Sequence, residues 1–298
     1  MNELIDKINN LKKEKNAVIL VHNYQRPEIY QVGDFLGDSL DLSKTAAKTK
    51  AKIIVFCGVD FMAETAKILN PKKIVLHPSP FSICPMAQMV ATEKIIEMKK
   101  KYPKAAVVSY VNTTAEVKAI SDICCTSANC INVVNSLKEK EIIFTPDKNL
   151  GNYVQTKTDK KIINVEGYCY VHDKIRAEDV KKAKELHLNA KIMVHPECRM
   201  DVIKLADVIC STSQMIKYAK ETDAREFIAV TECGMVNRLK KEAPDKIFYS
   251  VGGTCIQMKK NTLEKVYDCL KDETNKIEID KEIMGKARKA LERMIAVS

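Results

Sequence analysis

Three cysteines, Cys84, Cys169 and Cys255, fall 85 and 86 residues apart, and each closes a matching stretch of chain. Read backwards from each, the same order appears: a short loop (HPSPFSIC, NVEGYC, YSVGGTC), a strand-like run (KKIVL, KKIIN, DKIFY) and a lysine-bearing helical stretch. Further upstream lies an apolar strand ending in a polar cluster: IIVFCGVD, EIIFTPD, EFIAVTE. With eleven cysteines in 298 residues, even spacing alone could be chance. Two further features keep the same period. The opening strands AVILVHN, AAVVSYVN and AKIMVHPE end in polar residues at His22, Asn112 and His195, and DFLGDSLDLS, SDICCTSAN and ADVICSTSQ place hydroxyls after an aspartate, at Ser39, Ser127 and Thr212. The chain therefore reads as one unit written three times. In an arrangement of approximate threefold symmetry, equivalent loop ends converge on the axis, and three thiolates meeting there make a metal site.

Nine strand candidates, three per unit, are rich in Ile and Val and apolar over long runs, as suits strands buried on both faces in parallel sheets covered by helices. Segments between them, such as AETAKIL, NVVNSLKEK and AEDVKKAKEL, carry helical spacing. The expected fold is α/β: three pseudo-threefold-related units with parallel sheets in three-layer αβα arrangement around a central site. The units span 1–85, 86–170 and 171–261, and 262–298 forms a C-terminal helical extension. Its apolar stripe, Ile283, Met284, Ala287, Ala290, Leu291, Met294 and Ile295, is expected to pack on a repeat unit.

The net charge of +10 comes from lysines dispersed over predicted helices, with no Trp and no aromatic-basic motif. This favours a solvated surface and small anionic ligands over nucleic acid. The opening segment MNELIDKINNLKKEK is polar and amphipathic, and no apolar run approaches the ~20 residues of a membrane span, so a cytoplasmic protein is expected. In that compartment cysteines are metal ligands, reactive thiols or buried hydrophobes rather than disulfides. Cys124, Cys125 and Cys130, the densest group, read as buried small hydrophobes, as do Cys57, Cys198, Cys210, Cys233 and Cys269.

In parallel α/β units the carboxyl ends of the strands face the ligand crevice. The polar residues at those ends are His22, Asn23 and Tyr24; Tyr110 and Asn112; and His195 and Glu197, with Asp38, Ser39, Ser127 and Thr212 in the loops that follow. Those loops run into helical segments, and helix N-termini bind anions through free N–H groups. A histidine such as His22 can equally be a hydrogen-bonded structural group, and His172, three residues past Cys169, is either a donor near the metal or simply exposed. For the cysteine triad, zinc and an iron–sulfur cluster both remain open, because the close C-x-x-C spacings of either site are missing. A cubane on three thiolates would leave one iron open as a Lewis acid.

VHNYQRPE, GDSLDLS, FCGVDFMAE, CPMAQM, YVNTTAE, CTSANC, PDKNLG, VHPEC, STSQM and GGTCIQMKKNTLE, taken together and in this order over essentially the whole chain, resemble the quinolinate synthase family. The resemblance implies a 4Fe-4S cluster on Cys84, Cys169 and Cys255 with one open iron. It also implies a transferase-type condensation of iminoaspartate with dihydroxyacetone phosphate to quinolinate, releasing phosphate and water, in NAD biosynthesis. A functional link to an iminoaspartate-producing enzyme follows. Matched to the family's motifs, His22, Tyr24, Tyr110, His195 and Glu197 are the expected catalytic residues. His22, Asp38, Ser39, Tyr110, Asn112, Ser127, His195, Glu197, Ser211 and Thr212 are the expected substrate-binding set. Some members carry C-x-x-C-x-x-C at the last cysteine. Here the run is CIQMKKN, so thiol–disulfide behaviour tied to that motif does not transfer. A zinc hydrolase or lyase using His195 or Glu197 as base, and a non-catalytic iron–sulfur carrier, are the competing classes.

Overall fold

Long apolar runs become the central strands of three parallel sheets in the computed structural model, which describes residues 1–297. The first sheet contains β1 (Ala17–His22), β2 (Phe35–Gly37), β3 (Ile53–Cys57) and β4 (Ile74–Leu76). The second contains β5 (Ala106–Tyr110), β6 (Ile123–Cys125), β7 (Glu141–Thr145) and β8 (Lys161–Asn164). The third contains β9 (Lys191–Val194), β10 (Val208–Ile209), β11 (Glu226–Val230) and β12 (Ile247–Val251). All three share one order, β2-β1-β3-β4, β6-β5-β7-β8 and β10-β9-β11-β12, with every pairing parallel. Helices flank each sheet, so the structure is three similar αβα units.

The expectation of three strands per unit is corrected to four. The additional strands β2, β6 and β10 span three residues or fewer and leave no apolar run to read. A side chain fixes each instead. Asp34, Asp122 and Asp207, fifteen residues after their partners, accept the backbone N–H of Ile19, Val107 and Ile192 at 2.8 Å. Their own N–H groups donate back to the same residues' carbonyls at 2.9, 3.0 and 3.0 Å. This two-way bond holds the edge strand beside the first strand of each unit.

One large apolar cluster runs through all three units, from Leu20 and Phe56 through Val108 and Phe144 to Met193 and Ile228. A smaller one, around Ile19, Val55 and Leu270, lies under the N-terminal helix Asn2–Glu14 and helix Leu263–Asp272. The last helix, Lys281–Ala296, buries Ala287, Ala290, Leu291 and Met294. It packs on helix Ala115–Ala119 and β6 of the second unit and also on helix Asp60–Leu69 of the first. Among the described residues, no helix is long and apolar enough to cross a membrane.

Candidate active site

The carboxyl ends of β1, β5 and β9 open on one cavity. The first unit supplies His22, Tyr24, Asp38 and Ser39, the second Tyr110, Asn112 and Ser127, and the third His195, Glu197 and Thr212, with Cys84, Cys169 and Cys255 on the same wall. Residues from three sheets meet because parallel strands present all their carboxyl ends on one side. Ser211 is the one candidate that does not line the cavity. Fully buried, it caps helix Thr212–Glu221 in a capping box with Gln214 and donates from Oγ to Asp38 Oδ2 at 3.0 Å. No Lys or Arg lines the cavity among the described residues, while Asp38, Glu197 and Glu232 do, so an anion there depends on hydroxyl and imidazole donors to offset the carboxylates.

Glu197 sits at the centre, 3% exposed. Tyr110 Oη donates to its Oε1 at 2.5 Å, and His172 Nδ1 lies 2.9 Å from its Oε2. Burial pushes the carboxyl up, but the charges of His172 and His195 and the hydrogen bonds from His172 and Tyr110 outweigh it and hold the pKa down at about 2. The network continues: His172 Nε2 is 2.9 Å from Thr231 Oγ1, which is 2.7 Å from Tyr24 Oη. His172 also stacks on His195, ring centroids 4.5 Å apart. His172 is therefore buried, not exposed. Burial, then Glu197, raises the Tyr24 and Tyr110 phenols well above their ordinary range, so both keep their protons as donors.

His22 and His195 share one device. Each accepts, at Nδ1, the N–H of the residue two places on, Tyr24 at 3.2 Å and Glu197 at 3.4 Å. A neutral imidazole that accepts at Nδ1 carries its proton on Nε2. Burial pulls both pKa values down to about 3, with Lys259 adding to the effect on His22 and His172 to that on His195. At neutral pH both rings are N–H donors rather than bases.

The three expected anion-binding termini differ. Ser39 opens helix Ser39–Lys48, but its cap Asp38 already accepts the N–H groups of Leu40 and Asp41. Thr212 opens the third-unit helix and accepts a hydrogen bond from Asn23 Nδ2 at 2.9 Å. Ser127 instead lies in a turn ahead of helix Cys130–Ser136, whose cap is Asn129. The second unit therefore presents, where a helix start was expected, a turn hydroxyl that is hydrogen-bonded to the Tyr110 phenol.

Cys84, Cys169 and Cys255 are unpaired, half-buried thiols on the cavity wall. Burial raises all three pKa values, and Cys84 is raised further by Cys255, as Cys169 is by Cys84. Three clustered thiols without a lysine or arginine beside them in the cavity stay protonated unless a soft cation compensates the charge, and among the described residues no fourth cysteine lines the cavity. This donor set fits a three-thiolate cluster. Cys124, Cys125, Cys130, Cys57, Cys198, Cys210 and Cys269 are buried as expected. Cys233 is corrected: it is only half-buried, with Sγ 3.1 Å from Thr254 Oγ1.

Each cysteine loop is tied to the loop after its unit's third strand. Cys84 N–H donates to Asp60 Oδ1 at 2.9 Å, Cys169 N–H to Asp147 Oδ2 at 3.1 Å and Cys255 N–H to Glu232 Oε1 at 3.0 Å. In return the carbonyls of Ser82, Gly167 and Gly253, each two residues before its cysteine, accept from the N–H of Asp60, Lys148 and Cys233 at 2.9, 2.9 and 3.1 Å. The loops run so close that a Cβ at Gly252 would meet Thr231 O at 1.8 Å, and one at Gly167 would meet Pro146 O at 2.6 Å. Thr231, Asp60, Asp147 and Glu232 were not singled out in the sequence. The polar clusters ending IIVFCGVD, EIIFTPD and EFIAVTE were their visible signal.

Fold and site together define a three-unit parallel α/β protein with a thiol-lined, imidazole-rich buried cavity between its units. A family described as quinolinate synthetase A protein matches residues 6–296. The chain is 52% identical over 294 residues to quinolinate synthase of Clostridium novyi (strain NT), covering 98% of each chain. It is 53% identical over 300 residues to quinolinate synthase of Pyrococcus horikoshii, covering 99% of each. With quinolinate synthase 1 of Methanosarcina acetivorans it shares 52% over 297 residues, 99% of this chain and 98% of the other. The chain belongs to the quinolinate synthase family of enzymes.

Proposed function

We propose that this enzyme makes quinolinate for NAD biosynthesis by joining iminoaspartate to dihydroxyacetone phosphate, with loss of phosphate and water. The observation that carries the reading is that Cys84, Cys169 and Cys255 line the same cavity as Glu197 and the two neutral histidines. The three thiolates would hold a 4Fe-4S cluster, which when bound supplies an open iron as Lewis acid for dehydration. The rest falls to the side chains. His22 and His195 present Nε2–H to substrate oxygens. Glu197 stays ionised at neutral pH and its oxygens keep lone pairs, so the carboxylate is the acceptor placed for a substrate proton, in preference to the histidines, whose Nδ1 lone pairs are already engaged. Tyr24 and Tyr110 donate to developing negative charge. Asp38 orders the loop carrying Ser39, and Ser39, Asn112, Ser127 and Thr212 receive carboxylate or phosphate oxygens. The scarcity of cations in the cavity means that binding rests on many neutral donors. An iminoaspartate-producing enzyme must supply the substrate.

A second reading is favoured by one observation. Ligand atoms of Cys169, His172 and Glu197 lie within 4.8 Å of one another, a mixed S/N/O set that suits zinc. Against it, the set leaves out Cys84 and Cys255, which line the same cavity. Anaerobic purification with iron, sulfide and zinc analysis, followed by a quinolinate assay, decides. About 4 irons and matching sulfide per chain with quinolinate formed is the expected result. A colourless zinc protein would overturn it.

A further inference from the structure

Asp60, Asp147 and Glu232 occupy equivalent places in the three units, at the loop after the third strand, and each accepts the backbone N–H of its unit's cavity cysteine. We infer that these three carboxylates are positioning residues that fix the ligand loops. The inference rests on the cluster reading above but concerns residues outside the ligand set.

Backbone N–H groups near a thiolate are its ordinary hydrogen-bond donors, and hydrogen bonds to cluster sulfur tune reduction potential. Here each thiol takes a backbone N–H from three residues on, Ala87, His172 and Met258, while the cysteine's own N–H goes to a carboxylate. The reciprocal bonds through Ser82, Gly167 and Gly253 make each loop a two-point clamp rather than a single contact. The other carboxylate oxygens are anchored too: Asp147 Oδ1 accepts from Leu150 N at 2.9 Å and Glu232 Oε2 from Gly234 N at 2.8 Å. Lys259 Nζ adds an ion pair to Glu232 at 3.2 Å and also donates to the Tyr24 carbonyl, linking the Cys255 loop to the β1 loop. Negative charge placed beside the ligand loops disfavours taking up an electron.

The test uses the full chain, purified anaerobically with its iron. Alanine at Asp60, Asp147 or Glu232 removes the acceptor, and iron should be lost to a chelator about ten- to a hundredfold faster than from the parent. Asp60→Asn and Glu232→Gln keep an acceptor oxygen, so they should largely restore iron retention while the reduction potential, read by an EPR-monitored titration, moves to a more positive value. Asp147 is left out of the potential measurement because it also caps helix Lys148–Gln155. Asp34→Ala, Asp122→Ala and Asp207→Ala remove threefold-repeated carboxylate–amide bonds away from the cysteines and should lower melting temperature without changing iron loss. Alanine variants that hold iron like the parent, or amide variants with unmoved potential, overturn the inference while leaving the cluster reading in place. A parent that binds no iron and sulfide overturns both.

Discussion

Tyr110, the last residue of the second unit's first strand, donates its hydroxyl to Glu197 of the third unit across 2.5 Å. With His172 on the other oxygen, it orients a buried carboxylate that no lysine or arginine neutralises. Glu197→Gln keeps the shape and removes the proton acceptor, so turnover should fall by about a hundredfold or more while iron content stays normal. Near-normal turnover in a cluster-replete assay would remove Glu197 as the base.

Tyr110→Phe leaves the carboxylate in place but deletes one donor. The loss of a hydrogen bond to a charged group costs roughly 1.5–3 kcal/mol, so turnover should drop about tenfold or more. An unchanged rate would show that His172 alone orients Glu197.

Serine at Cys84, Cys169 or Cys255 should abolish the brown visible absorption and most of the bound iron. Serine at Cys124, Cys125 or Cys130, which are buried in the core, should leave both. The reverse pattern on iron analysis would move the ligands to the second group.

Ser39→Ala and Ser127→Ala each delete a cavity hydroxyl. KM for one of the anionic substrates should rise about tenfold with kcat changed less. Steady-state kinetics with each substrate varied in turn also assigns the carboxylate and phosphate ends. Unaltered KM for both substrates would show that these hydroxyls do not bind them.

Asp207 accepts from Ile192 N and Lys191 Nζ. Burial works to raise its pKa, but these hydrogen bonds and the charges of Lys191 and Lys184 leave it below the ordinary carboxylate value. A group with a depressed folded pKa stabilises in full above its unfolded pKa and loses that contribution as pH falls through the folded one. Asp207→Asn should therefore cost about 1 kcal/mol at neutral pH, discounted for exposure, and the gap to the parent should close in acid. Melting curves at several pH values check the sign.

The sequence by itself determined what is local. Five-residue apolar runs specify the core strands, helical spacing specifies the covering layers, and an 85-residue period specifies that the unit recurs. Strand-end polarity pointed to His22, Tyr110, His195 and Glu197, which line one cavity, because the carboxyl ends of parallel strands lie on one side. Tertiary structure decided the rest. β2, β6 and β10 are too short to announce themselves and are held by Asp34, Asp122 and Asp207 bonded to the neighbouring strand. Thr231 joins Tyr24, 207 residues away, to His172, and nothing near it in the chain indicates either partner. Ser127 reads like Ser39 and Thr212 but stands in a turn, because the second unit's helix starts later, at Cys130. Periodicity reports which face of an element is buried; it carries no information about which distant hydroxyl or carboxylate is buried beside it, and that is where this site's hydrogen bonds lie.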